Sequence, residues 1–143
     1  MYELDRYIKG DIFMMKVELS IPAETSLAYI IHEDKDLGIR ILGQLKYRLP
    51  LDPYPDVDDA NDLFQAELVE FLKKEGIDVY RLKSREFLGH RVFYIVDEEA
   101  DLIHVLDIVK RTKYTYKRSS THIQTIKQLY FEYYTDKANK GSK

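Results

Sequence analysis

Cysteine is absent from the 143 residues, which excludes disulfides and thiolate metal sites. No apolar run approaches the roughly 18 residues that a membrane span requires, and the opening MYELDRYIKGD lacks the apolar core of a secretory signal. The four histidines, at positions 32, 90, 104 and 122, have no ligand spacing such as HxxxH, so neither a metal site nor a cofactor is expected. A phosphate-cradling glycine loop and a strained nucleophile turn are both missing, as are internal repeats and low-complexity segments. These absences leave the expectation of one cytoplasmic domain over residues 1–143, large enough for a core without cross-links.

Charge is present and unevenly placed. Residues 1–76 carry 9 Lys/Arg against 16 Asp/Glu, and residues 77–143 carry 13 against 9, so the halves stand at −7 and +4 within a formal total of −3. An excess of positive charge on one half suits a polyanion-binding face.

The cations concentrate in the stretch from Tyr80 to Tyr116, which reads as three antiparallel strands with a basic, tyrosine-rich tip. In YRLKSREF the alternation sets Arg81, Lys83 and Arg85 on one face and Tyr80, Leu82 and Phe87 toward the other. Two β-branched and aromatic runs follow, joined across Asp97 to Asp101 by turn chemistry. The stretch KRTKYTYKR, from Lys110 to Arg118, then holds five cations, two tyrosines and no acid. Cations at one edge of a sheet would hold a phosphate backbone, because they release its condensed counterions.

Residues 1–13 read as an N-terminal extension without a packing pattern. MMKVELS alternates as a strand, and Pro22 and Glu24 suit the start of a helix from about Pro22 to His32. The acidic break HEDKD precedes a second helix, Asp36 to Leu49, capped by Asp36, with Leu37, Ile41, Leu45 and Leu49 on one stripe. Pro50, Pro53 and Pro55 should end it. A third helix is expected over Asp62 to Glu75, its face made by Phe64, Leu68, Phe71 and Leu72 and its end set by Gly76. After the strands a final helix begins near Thr121, whose hydroxyl with Gln124 would form a capping box. Residues 136–143 are expected to be a disordered tail. The order predicts an α+β domain with an N-terminal strand and helical hairpin, an extra helix, a three-stranded antiparallel meander and a C-terminal helix, with the sheet covered on one face.

Several motifs in this order resemble the RelE/ParE-type bacterial toxins over about residues 14–134. They are the first strand with its proline-started helix, RILGQLKYRLPLDPYP closing the hairpin, YRLKSREFLGHRVFYIVDEE with Gly-His-Arg before an aromatic strand, and VLDIVKRTKYTY before the final helix. The resemblance implies a RelE-like fold, an antitoxin partner, and either mRNA cleavage on the ribosome or inhibition of gyrase without cleavage. Carried over residue by residue, it makes Arg81 and Lys83 the basic pair of the first central strand and Arg91 the arginine after the glycine turn. Arg111 becomes the arginine ending the last strand, and Tyr116 or Tyr114 the tyrosine that follows. Arg91, Arg111 and one of those tyrosines would then be catalytic, and Arg81, Lys83, Lys110 and Lys113 would hold RNA. This chain departs from the pattern in its extra helix, in the register of its tyrosines and in a sequence pI near 5.8.

The side chains suit that chemistry on their own terms. Cleavage by a ribose 2′-hydroxyl needs a base, cations for the developing phosphorane and a proton donor for the leaving oxygen. Lysine, arginine and tyrosine can share those tasks without a metal. A phenol titrates near 10, so Tyr116 could serve as a base only if Lys113, Lys117 and Arg118 favour its anion. Asp107, interrupting an apolar strand, is expected to pair with Arg91 or Arg111 rather than act as a base. His90 reads as a solvated imidazole within reach of a phosphate. The competing functions are a binding module without catalysis, directed at gyrase or a relic of the toxin fold, and an oligomerisation domain using the helix face from Ile123 to Tyr134. An antitoxin would cover the Leu37, Ile41 and Leu45 stripe.

Overall fold

The computed structural model describes residues 7–8, 12–111 and 121–141. In chain order the elements are β1 (Tyr7–Ile8), β2 (Ile12–Phe13), β3 (Lys16–Leu19), α1 (Ile21–Glu33), α2 (Lys35–Gly43), β4 (Asp56–Asp58), β5 (Leu63–Leu68), α3 (Glu70–Lys74), β6 (Tyr80–Ser84), β7 (His90–Asp97), β8 (Leu102–Lys110) and α4 (Thr121–Gly141). The strand pair β1–β2 lies within the stretch expected to lack a pattern. The other strands form one mixed sheet in the order β3-β8-β7-β6-β5-β4, antiparallel except for the parallel pair β3–β8. The chain is therefore α+β, with β6–β7–β8 the meander that the sequence predicts.

Both faces of the sheet are covered, not one. On the first face α1, α2 and the turn that follows them bury Leu27, Ile30, Leu37, Ile41 and Leu45 against Phe64, Leu82, Val92 and Tyr94. On the second, α3 and α4 bury Leu72, Ile123 and Ile126 against Phe93, Ile95, Leu106 and Val109. The central strands β7 and β8 are sandwiched, and their near-continuous apolar runs are what a strand buried on both sides requires.

The helical hairpin forms close to where the sequence sets it, with one change of cap. Ser20 caps α1 by accepting from the Ala23 amide. Asp34, not Asp36, caps α2, its carboxylate 3.1 Å from the Leu37 amide. Asp34 has the extended backbone that a cap needs, which leaves Asp36 inside the first turn. The helix then widens into a π-type turn over Gln44–Arg48 and tightens into a 3-10 turn over Leu49–Leu51. Pro50 falls in the opening turn of that last segment, where a missing N–H leaves no bond unmade, so the helical path runs past it.

Gly38 sets how closely the hairpin closes. A Cβ added there would lie 2.3 Å from Ile31 Cγ1 and 2.8 Å from Ile31 Cα, and the second of these is backbone that cannot rotate away. Gly38→Ala is expected to push α2 off α1 and to destabilise the fold by about 1–3 kcal/mol, the usual cost of overpacking. Urea unfolding would record this as a lower midpoint at unchanged slope.

The expected third helix is the clearest correction. Leu63–Leu68 is a strand, paired with β4 on one side and β6 on the other, and only Glu70–Lys74 is helical. The stripe read as one helical face is divided: Phe64 is buried in the first core and Leu72 in the second. Gly76, at φ +80°, does end the short helix, with the Ile77 amide bonding the Leu72 carbonyl and the Gly76 amide the Lys73 carbonyl. At the other terminus α4 extends through residues expected to be a disordered tail. Lys137 supplies an anchor, reaching Asp97 at 2.8 Å and Glu99 at 3.3 Å. The helix runs Thr121–Gly141, and the capping box expected at Thr121 turns on its boundary with residues outside the described ones.

Candidate nucleic-acid interface

The antiparallel register decides which cations meet. Arg81 pairs across β6–β7 with Phe93, and Arg91 pairs across β7–β8 with Val109. Phe93 and Val109 belong to the second core, so Arg81 and Arg91 sit on that face. Continuing the β6–β7 register by one residue sets Lys83 opposite Arg91. Arg111 follows β8 by one residue, and alternation returns it to the side of Val109 and Arg91. Its amide donates to the Gly89 carbonyl at 2.8 Å, closing the end of the β7–β8 pair.

Lys110 stands apart from these cations. It pairs with His90, and the alternation of both strands puts that pair on the opposite face from Arg91. The cationic group is therefore an end of the sheet: Lys83 at the close of β6, His90 and Arg91 at the opening of β7, and Lys110 and Arg111 at the close of β8. The β7–β8 turn at the far end carries Asp97, Glu98, Glu99 and Asp101. The cationic end also carries Asp58, Asp59 and Asp62 around the β4–β5 turn, and Glu86 after β6.

Neighbours fix several of these side chains. Arg81 bridges to Glu67 at 3.3 Å across β5–β6, and Arg91 Nη1 donates to the His90 carbonyl at 3.1 Å. Arg85 leaves the strand face, entering a 3-10 turn over Arg85–Phe87 and donating to the Asp59 carbonyl. Leu88 at φ +45° and Gly89 at φ +90° then reverse the chain. That reversal brings the Phe87 carbonyl 3.1 Å from His90 Nδ1. The imidazole is half-buried, and burial, together with the positive charge of Lys110, lowers its pKa against the opposing pull of the Phe87 carbonyl. His90 is therefore more than a solvated ring. The sequence signal was its place between a glycine turn and an arginine.

Asp107 is not paired as expected. Its carboxylate accepts from Ser26 Oγ at 2.9 Å and from the Ile108 amide at 2.8 Å, not from an arginine. A β-bulge between Phe93 and Tyr94 shifts the β7–β8 register just past the Phe93–Asp107 pair. Burial raises the pKa of Asp107. Lys113, Tyr114 and Tyr116 lie outside the described residues.

The far end of the sheet is built to hold α4. Asp97 accepts from Tyr133 at 2.8 Å and from Lys137 at 3.0 and 2.8 Å. Burial pushes its pKa up, but the bonds from Lys137 and Tyr133 outweigh that and hold it below the usual carboxylate range. An open groove of about 710 Å3 runs between α4 and β3, with His104 joined to Glu18 at 2.7 Å along it. None of the sequence-predicted site residues lines it. Among the described residues no three His, Asp or Glu side chains gather as a metal would need, and no helix is long and apolar enough to cross a membrane.

Two further expectations change. Leu37, Ile41 and Leu45 are 6%, 0% and 1% exposed, so the chain's own core uses the stripe expected to receive a partner. Ile123 and Ile126 are buried in the second core, with Tyr130, Tyr133 and Tyr134 packed against it, so that helix face is internal rather than a contact between copies.

No family model matches the sequence, and no curated protein matches it. Among solved structures, the chain is similar to the RelBE2 toxin–antitoxin complex from Mycobacterium tuberculosis. The TM-score is 0.46 and the identity 12%, with 68% of this chain and 92% of that chain covered.

Proposed function

We propose that this chain is the toxin of a toxin–antitoxin pair and a metal-independent endoribonuclease that cuts mRNA on the ribosome. The observation that carries the reading is that the strand register brings Arg81 and Arg91 onto one sheet face, with Arg111 following β8 on the same side. Cations grouped on one sheet face attract a phosphate backbone, even in a chain whose net charge is −3. Arg81 and Lys83 position the RNA, together with Lys110 and Lys113, while Arg91 and Arg111 stabilise the charge that develops on phosphate. Tyr116, or Tyr114 in its place, serves in proton transfer at the 2′-hydroxyl. The antitoxin covers the outer surface of the helical hairpin, where Tyr29, Ile39 and Tyr47 are 65%, 52% and 64% exposed.

The test is to add purified protein to translating ribosomes and map RNA 5′ ends, alongside induced expression in a bacterial host. New 5′ ends that depend on translation, together with growth arrest, are expected. Growth arrest with intact RNA would replace this reading with a non-catalytic one directed at another target such as gyrase.

A further inference from the structure

We infer that the end of the sheet at the β7–β8 turn holds a cage for a methylated ammonium group, walled by Tyr54, Tyr80, Tyr130 and Tyr134 and set beside Asp78. None of the residues assigned to RNA takes part in it.

Three separate stretches of chain supply the rings. Tyr54 follows the 3-10 turn over Leu49–Leu51, Tyr80 opens β6, and Tyr130 and Tyr134 stand about one turn apart on α4. Tyr54 and Tyr80 lie 5.3 Å apart between ring centres and are tilted by 57°. Tyr130 and Tyr134 lie 4.9 Å apart, tilted by 55°. All four line one open cavity of about 410 Å3. Tyr80 packs against the first core and Tyr130 and Tyr134 against the second, so the cavity sits at the sheet's end, where the two faces meet.

Rings alone would take an apolar group, and the charges select a cation. The carboxylates of Asp78, Asp97, Glu98 and Glu99 line the cavity against a single ammonium, that of Lys137. Lys137 is already engaged, by Asp97 at 2.8 Å and Glu99 at 3.3 Å. Glu98 accepts from the Tyr54 hydroxyl at 2.7 Å. Asp78 is exposed and has no hydrogen bond or ion pair among the described residues. Its charge reaches both walls. Burial, then Asp78 and Glu98, raise the pKa of the Tyr80 hydroxyl, and burial, then Tyr130, Asp97 and Asp78, raise that of Tyr134 against the pull of Lys137. The negative field that keeps those phenols neutral favours a cation among the same rings.

The form of the cation follows from what is left over. A bare ammonium needs hydrogen-bond acceptors, and Lys137 has taken those of Asp97 and Glu99. A methylated ammonium has few N–H groups or none to satisfy, and aromatic rings with a nearby negative charge hold it. Four tyrosines and the Asp78 carboxylate are that combination.

The experiment follows the amide NMR signals of the isotope-labelled natural chain during titration with choline, with its uncharged carbon isostere and with ethanolamine, at constant ionic strength. Choline should give saturable shifts confined to the amides around Asp78, Glu98 and Tyr134. It should bind about 2- to 30-fold more tightly than the isostere, the range a cation–ring contact supplies, and more tightly than ethanolamine. Tyr134→Leu should lose a similar factor, whereas Tyr134→Phe, which keeps the ring, should bind as the natural chain does. Asp78→Asn alters an exposed group without a bond to the fold, so it decides the matter if Tyr134→Leu melts early; it should weaken choline about 2- to 5-fold. A peptide carrying trimethyllysine, titrated alongside, separates a partner's modified side chain from a free small cation, and whichever saturates at the lower concentration identifies the source. Shifts spread over the whole surface, an isostere or ethanolamine that matches choline, or unchanged choline binding in Asp78→Asn and Tyr134→Leu would overturn the cage and leave the ribonuclease reading untouched.

Discussion

Arg111→Ala is expected to lower RNA cleavage about 100- to 1000-fold, the usual loss when one preorganised charge-stabilising group is removed, about 2.7–4 kcal/mol of barrier. The thermal midpoint should barely move. Arg111 is exposed, just beyond β8, and the contact it gives the fold is its amide bond to the Gly89 carbonyl at 2.8 Å, which alanine keeps. Exposed substitutions of this kind usually change stability by within about 0.5 kcal/mol. Arg91→Ala should match it in cleavage but not in stability, because the half-buried Arg91 also donates to the His90 carbonyl. One such bond is worth about 1 kcal/mol. The two melting curves therefore separate lost chemistry from a lost contact. Tyr116→Phe, which keeps the ring and deletes the hydroxyl, should slow cleavage without changing the melt. Full activity in both Arg111→Ala and Tyr116→Phe would remove this end of the sheet as the reaction site.

Strand register explains why the cationic end was partly legible in the sequence. A period of two is read directly, so Arg81 and Lys83 fall on one face with no knowledge of the partner strands. Joining them to Arg91 and Arg111 requires cross-strand pairing, and a single bulge at Phe93/Tyr94 changes that pairing partway along β8. Asp107 lies on the near side of that bulge, opposite Phe93, and is taken up by Ser26 instead. Lys110, next to Arg111 in sequence, is assigned to the other face by the same alternation that unites the rest. Adjacency in a basic run is not adjacency on a surface.

Cover on both faces was written in VFYIV and HVLDIV, which are nearly unbroken apolar runs rather than alternating ones. The capping change is subtler. Asp34 and Asp36 carry the same group, and only the extended backbone of Asp34 separates cap from first turn. The end of α4 was illegible because KANKGSK has no apolar residue beyond alanine. What holds that end is Lys137 on Asp97, a contact between residues 40 apart in the chain that local composition cannot express.

The misread segment from Asp62 to Glu75 leads to the largest stability change expected. LFQAELVEFLKKE satisfies a helical stripe and a strand alternation together, and pairing with β4 and β6 decides between them. Phe64 then faces the first core at 1% exposure, with the Arg48 guanidinium 4.1 Å from its ring centre. Arg48 is itself held by a two-bond fork to Asp62 at 3.1 and 2.6 Å. The strand pair β4–β5 is thus fastened to the helical hairpin through one ring and one arginine. Phe64→Ala removes the ring that both sides share, and a buried phenylalanine cut to alanine costs about 3–5 kcal/mol. Against the 5–15 kcal/mol that holds a typical domain, that is a large share of the total. At about 2–4 °C per kcal/mol for a chain of this size, the midpoint should fall by about 6–20 °C in one cooperative transition. Arg48→Ala, which keeps the ring and loses only the cation above it, should cost far less, about 0.5–1 kcal/mol from that contact. Calorimetry of the two variants tests whether β4 and β5 belong to the core. If Phe64→Ala left the midpoint within a degree of the natural chain, or split the melt into two steps, β4–β5 would be an appendage that the sheet could shed.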